Sequence, residues 1–318
     1  MADSAEKAHE NSTTRPWLLL GAAIGVVFGL VSWRRRRARQ TSPLIREGER
    51  STALVTGASS GIGRSYAIEL ASLGYDLILV ARRRDRLQAL ATELIDSYGI
   101  RVAVVEADLA MEEGVTQVER AIAAADALTV LVNNAGFGMV SWFATSDLQR
   151  HLDMVQLHIE AVVRLTRAAL PGMLALKRGA VVNVGSLMAF YPLYGNTTYS
   201  ATKCYLRTFS EVLHQELIGT GVRVQALCPG FVATEFQQSA DIQKLAIPDF
   251  AWMSPETVVR RSLIDLRNNQ VISVPGLGYR LLADVSGLIP RPLLRLAGLL
   301  IGRSRTRRPP SRRGDSHD

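Results

Sequence analysis

Cysteine is scarce: the chain of 318 residues has only Cys204 and Cys228, which fall in a helical stretch and at a strand end. That excludes a disulfide framework and a thiolate metal site, and suits small buried thiols in a reducing compartment. The histidines, among them His9, His151, His214 and His317, show no ligand spacing, so no metal is expected. With 25 glycines and 12 prolines, no collagen-like or low-complexity organisation is available. Hydrophobic residues at 47% and charged residues at 21% exclude a mostly disordered chain. The body also lacks excess charge. Although the formal charge is +8, residues 51–290 hold 20 basic and 22 acidic groups, residues 1–50 hold 9 and 5, and residues 291–318 hold 8 and 2. The basicity therefore lives in the ends, and with no finger, basic-zipper or RNA-recognition pattern, no nucleic-acid partner is expected.

The N-terminal part contains one long run without charge, Trp17 to Trp33, preceded by a leader over residues 1–16. Seventeen helical residues span about 25 Å, slightly short of a hydrocarbon core of about 30 Å, and snorkelling of Arg15 and Arg34 covers the difference. Tryptophans at both ends and the cluster Arg34, Arg35, Arg36, Arg37 and Arg39 predict a single-pass anchor with the body on the cytoplasmic side. A cleaved signal peptide fits less well, because Asp3, Glu6 and Glu10 replace a basic start; a buried helix is the other alternative. Gly21, Gly25 and Gly29 on one face would let a second helix approach. Residues 34–50 read as a basic linker. Residues 276–302 are apolar but broken by Pro290 and Pro292, which suggests two amphipathic helices, near Tyr279–Leu288 and Pro292–Ile301. These could cap a cleft, lie on an anionic leaflet, or simply pack on the core. A basic tail, residues 303–318, ends the chain.

From residue 51 to 275 short apolar runs alternate with amphipathic stretches. Predicted strands are Ala53–Val55, Leu77–Val80, Val102–Val105, Leu128–Val132, Val181–Val184 and Val222–Leu227. The helices between them are Ile62–Leu73, Arg86–Tyr98, Val115–Ala125, Leu152–Leu176 and Tyr199–Ile218. Strands that are apolar throughout, separated by helices, indicate a parallel sheet covered on both faces, a Rossmann-like doubly wound α/β fold. Ligands in such folds sit beyond the carboxyl ends of the strands.

After the first strand comes Thr56-Gly57-Ala58-Ser59-Ser60-Gly61-Ile62-Gly63, leading into a helix whose first N–H groups can receive a pyrophosphate. Alone, such a turn is as readily structural. Together with Asn133-Asn134-Ala135-Gly136 after the fourth strand and Tyr199-Ser200-Ala201-Thr202-Lys203 later, it resembles the short-chain dehydrogenase/reductase family over roughly residues 51–275. The resemblance implies a carbonyl and secondary-alcohol oxidoreductase. It implies nucleotide contacts from Gly57, Ser59, Ser60, Gly61, Ile62 and Gly63, adenine contact from Asp108, and a border formed by Asn134, Ala135 and Gly136. It further implies that Pro229, Gly230, Val232 and Thr234 close over the nicotinamide, and that a homodimer is among the family's assemblies. At the tip of the second strand the chain has Arg82-Arg83-Arg84 and no carboxylate, so NADP(H) is expected, with Arg82 as the phosphate ligand. Arg84 and Arg86 read as a solvated helix start.

Tyr199 and Lys203, four apart on a helix, share a face, so an ammonium should neighbour the phenol and, with the positive charge of an oxidised nicotinamide, lower its pKa. By the resemblance, Ser186 holds the substrate oxygen, Tyr199 supplies its proton, and Tyr199 and Lys203 also touch the cofactor. Family members carry an asparagine in the long helix where this chain has His158, whose imidazole could serve a proton relay or be a satisfied helix histidine. Apolar residues after the serine (Leu187, Met188, Phe190, Tyr191, Leu193), after the Asn-Asn-Ala-Gly turn (Phe137, Met139, Trp142, Phe143) and over Phe236–Met253 suggest a hydrophobic cleft. With the anchor, they point to a lipid, fatty-acyl or steroid-like substrate. The alternatives are a catalytically weak NADP-binding sensor or scaffold at the membrane, and a peripheral lipid-binding protein.

Overall fold

Seven parallel strands form one sheet, and the reason is visible in the alternation of the central strand. In β1 (Thr52–Thr56), Ala53 and Val55 join one apolar cluster while Leu54 joins another on the opposite face. The computed structural model describes residues 50–191, 193–236 and 248–286, together with Pro292, all within one compact unit. The run 17–33, the linker 34–49 and the tail 303–318 lie outside the described residues, as do Leu245 and Ile247.

The chain continues through α1 (Gly61–Ser72), β2 (Asp76–Ala81), α2 (Arg84–Tyr98), β3 (Val102–Glu106), α3 (Glu112–Ala123) and β4 (Leu128–Asn133). Then come α4 (Leu148–Val155), a π-helical turn (Gln156–Glu160), α5 (Ala161–Ala175), β5 (Gly179–Val184), α6 (Thr197–Glu216), β6 (Val222–Leu227), α7 (Pro255–Arg267), β7 (Ile272–Ser273) and α8 (Leu277–Ser286). The sheet order is β3-β2-β1-β4-β5-β6-β7, so the winding reverses between β1 and β4. Their carboxyl ends open the crevice where such folds bind ligands. Helices α1, α2 and α7 cover one face, and α3 and α5 the other.

Three differences from the sequence reading have physical causes. β3 is only partly buried, because it is the sheet edge and lacks a neighbour on one side. β7 was not predicted; two residues held by β6 leave no periodic pattern to detect. The single long helix expected over Leu152–Leu176 is interrupted by the π-helical turn that contains His158, a distortion common at functional sites.

The first expected C-terminal helix exists as α8. Its Tyr279 hydroxyl donates to the Ala251 carbonyl (2.5 Å) and the Tyr191 hydroxyl donates to the Leu282 carbonyl (2.5 Å). It thereby links the segment after Ser186 with the segment after β6. The second, Pro292–Ile301, lies outside the described residues save Pro292. Among the described residues no helix is long and apolar enough to cross a membrane.

Candidate active site

At the carboxyl end of β1, Gly57 and Gly61 adopt left-handed backbone (φ +65° and +55°) that a side chain would strain. Gly63 has no room for one: a Cβ there would overlap the Gly57 carbonyl and lie 2.5 Å from Asn134 Nδ2. The turn is stapled to β4. Thr56 Oγ1 accepts from the N–H groups of Asn134 (2.9 Å) and Ala135 (3.0 Å), and Asn134 Nδ2 donates to the Thr56 carbonyl (2.9 Å). Ser60, the N-cap of α1, makes no side-chain cap bond, so the helix presents its first N–H groups uncapped by that hydroxyl. A cradle shaped by missing side chains at a helix N-terminus suits the pyrophosphate of a dinucleotide.

Arg82, expected to read the cofactor phosphate, is exposed and rests 3.6 Å from Asp108, the residue expected at the adenine. Both stand at the ends of β2 and β3. Its neighbour Arg83, which the sequence did not distinguish, turns onto the glycine-rich turn itself. Its guanidinium donates to Ser59 Oγ (3.0 Å) and Ser60 Oγ (2.9 Å). Nor is Arg86 simply solvated, since with Arg83 it holds Glu235, a residue the sequence reading passed over. Successive residues leaving a strand point in different directions, so a run of three arginines does not reveal which one reaches inward.

The opposite wall is built on β5, β6 and α6. Ser186 follows β5 and its Oγ accepts from the Met188 N–H (3.2 Å), which leaves its own hydroxyl hydrogen to donate. Tyr199 and Ser186 are joined by a side-chain hydrogen bond. Lys203 Nζ donates to the Val184 carbonyl (2.9 Å) and lies 5.6 Å from the Tyr199 ring centroid. The three expected catalytic residues are therefore together, at the carboxyl end of β5. Asn133 and Asn183, side by side in register, tie this region to Thr166 and Ser210. Leu187 N–H donates to the Pro229 carbonyl (2.9 Å), fixing the serine loop to the Pro229-Gly230 turn. Val232 pairs with Met253, and Thr234 meets the space beside Gly61, so the post-β6 segment borders the glycine-rich turn.

Within the protein alone, burial opposes the expected acidification of Tyr199. Burial pushes the phenol up to about 12, opposed by the bond with Ser186, while the lysine amine, bonded to the Val184 carbonyl, lies 5.6 Å from the ring centroid. Burial likewise brings Lys203 down to about 8.

His158 is held by bonds on both sides of its ring. It is 1% exposed, and its Nε2 accepts from the Phe137 N–H (3.2 Å). Nδ1 must then carry the proton and donate to Thr202 Oγ1 (3.0 Å), whose hydroxyl donates onward to the Tyr199 carbonyl. Both nitrogens are engaged, and the ring occupies the space beside Gly136. Burial, with the Lys203 charge, holds its pKa well below the usual value. The ring thereby joins the Asn-Asn-Ala-Gly turn to α6.

The apolar surroundings come from several segments. Phe236 lies 6.1 Å from the Tyr199 ring between centroids, and Phe137 lies 5.9 Å from His158. Phe143 is exposed and packs on His151 instead.

A sequence profile described as short chain dehydrogenase matches residues 51–244. A very-long-chain 3-oxoacyl-CoA reductase of Anas platyrhynchos is 36% identical over 215 residues, covering 66% of this chain and 67% of that protein. An inactive hydroxysteroid dehydrogenase-like protein 1 of Pongo abelii is 35% identical over 185 residues, 57% of this chain and 56% of its own. Among solved structures, a short-chain dehydrogenase from Sphingobium yanoikuyae in complex with NADPH superposes with a TM-score of 0.68 at 31% identity, covering 84% of this chain and 100% of that one.

Proposed function

Because this chain belongs to the short-chain dehydrogenase family and is an oxidoreductase of C=O and CH–OH groups, we propose that it reduces a long-chain 3-oxoacyl or similar lipid carbonyl with NADPH. Tyr199 is its proton donor. The observation that carries this reading is the grouping of buried Tyr199 and Lys203 with part-buried Ser186 at the carboxyl end of β5.

When bound, the nicotinamide supplies hydride to the carbonyl carbon. The cradle at Gly57, Gly61 and Gly63 and the α1 N-terminus suit its pyrophosphate. Arg82 and Arg83 offer planar forks to a 2′-phosphate, and the residues that end β2, Ala81 to Arg84, include no carboxylate of their own. Asp108 faces the adenine end, while Pro229, Gly230, Val232 and Thr234 line the nicotinamide end.

The Ser186 hydroxyl donates to the substrate oxygen and fixes it beside Tyr199. Charge developing on that oxygen draws the phenol proton, and the Lys203 ammonium stabilises the phenolate left behind. A phenol held protonated by burial is in the form reduction requires. For the lipid substrate, support comes from the relatives' names and from large exposed apolar side chains, Phe250, Leu277 and Leu281, in the two segments that the Tyr279–Ala251 bond joins. We assign the Trp17–Trp33 run to a membrane anchor, which would tether the chain to the source of such substrates.

Purified full-length protein should consume NADPH with long-chain 3-oxoacyl thioesters faster than with short ones, and use NADPH in preference to NADH. Turnover of small polar ketones with lipid carbonyls ignored would refute the substrate assignment. A second reading, a cofactor-binding protein with little turnover, is favoured by His158 and by the relative described as inactive. It predicts cofactor binding and no consumption with any carbonyl.

The pH dependence separates the groups. The Tyr199 phenol stays protonated across the neutral range, whereas Lys203 loses its charge as pH rises through about 8. Reduction should therefore be level through neutral pH and decline above about pH 8, with no inflection near the ordinary histidine value of about 6.5. An inflection there that disappears in His158→Asn would restore the relay role.

A further inference from the structure

Glu235 lies 152 residues beyond Arg83 in sequence, yet its carboxylate sits between two guanidinium groups at the cofactor corner. Arg83 Nη1 donates to Oε2 (2.8 Å), and Arg86 Nη1 donates to Oε1 (2.6 Å) and Oε2 (2.9 Å). The remaining nitrogens of Arg83 face the Ser59 and Ser60 hydroxyls of the glycine-rich turn. This cluster presents a planar fork and two hydroxyls, a donor set for a phosphate monoester, and one of its donors is already engaged by an internal anion.

We infer that Glu235 is a specificity-determining residue, competing with the cofactor's 2′-phosphate for Arg83 while Arg86 retains the displaced carboxylate. The inference rests on the NADPH reading above and goes beyond it by naming what opposes the phosphate. Its logic follows from exposure and charge. All three side chains are about half exposed, so the pairs are weak enough to exchange. The two arginines hold the Glu235 carboxyl below its ordinary range, so it remains an anion at neutral pH. Glu235 is kept at this corner because it directly follows Thr234, which packs beside Gly61. A carboxylate at the β2 tip would exclude a 2′-phosphate by occupying its place. Here a carboxylate from another part of the chain tempers the same site, and the second arginine gives it somewhere to go.

The test is equilibrium titration of the full chain with NADPH and with NADH, followed by nicotinamide fluorescence, in wild type, Glu235→Gln, Arg86→Gln and the double variant. Removing the competitor should tighten NADPH binding about fivefold and leave NADH within about twofold. Arg86→Gln should weaken NADPH in the Glu235 background and have little effect once Glu235 is Gln, which separates loss of the receiving site from loss of positive charge. Equal shifts for both cofactors, or weaker NADPH binding in Glu235→Gln, would overturn the inference. Wild type preferring NADH would overturn the cofactor reading instead. The NADPH-to-NADH change on Glu235→Gln judges the competition in either case.

Discussion

Tyr199→Phe lowers the rate of carbonyl reduction by about 10²- to 10⁴-fold, the usual worth of a positioned general acid, while NADPH affinity and thermal midpoint stay near those of the wild type. The change removes one oxygen and no ring. The phenylalanine still fills the space against Lys203, His158 and Phe236, so the core has nothing to collapse into. Only the hydrogen bond with Ser186 and the transferable proton are lost. Stopped-flow or steady-state assay with a long-chain 3-oxoacyl thioester reads the rate, and nicotinamide fluorescence reads binding. A loss of binding that parallels the loss of rate would mean that Tyr199 holds the cofactor and leaves proton delivery to another group.

Gly63→Ala weakens cofactor binding by a different route. The added methyl would overlap the Gly57 carbonyl and crowd Asn134 Nδ2, and both belong to the staple between β1 and β4. The Gly57 carbonyl is backbone, and the Asn134 amide is held by the Thr56 and Gly57 carbonyls, so the turn must open and its N–H groups lose their aim. We expect NADPH affinity to fall by about 10- to 100-fold, in line with overpacking costs of about 1–3 kcal/mol, with a lower thermal midpoint. Calorimetric titration reads the first and scanning calorimetry the second. Gly74→Ala is the control: its site has open space but left-handed backbone, so it should cost stability without selective loss of cofactor binding.

The order and kind of the elements were legible because parallel strands buried on both faces write themselves as uninterrupted apolar runs, each followed by its ligand-facing turn. β1, β2, β4, β5 and β6 were found within a residue or two of their bounds, and the serine, tyrosine and lysine were placed on elements that the fold brings together. What escaped has one common cause: it depends on contacts distant in sequence. Whether Arg82 or Arg83 faces Ser59 is decided by side-chain direction at the β2 tip. Glu235 matters only because the post-β6 segment crosses the glycine-rich turn. The direction of the Tyr199 shift depends on burial, which helical spacing cannot convey, so the spacing suggested an acidified phenol where desolvation prevails. His158 was visible as a departure from the family's asparagine. Its partners Phe137 and Thr202 were not.

The account's central claim is hydride delivery to a lipid carbonyl with protonation from Tyr199. It is tested most directly by incubating the full chain with a long-chain 3-oxoacyl thioester and NADPH deuterated at its transferable position, then locating the label by mass spectrometry. The account predicts one deuterium on the former carbonyl carbon, formed in step with cofactor oxidation and all but lost in Tyr199→Phe. Cofactor bound tightly with no labelled alcohol from any carbonyl offered, or label transferred as fast by Tyr199→Phe as by wild type, would contradict it.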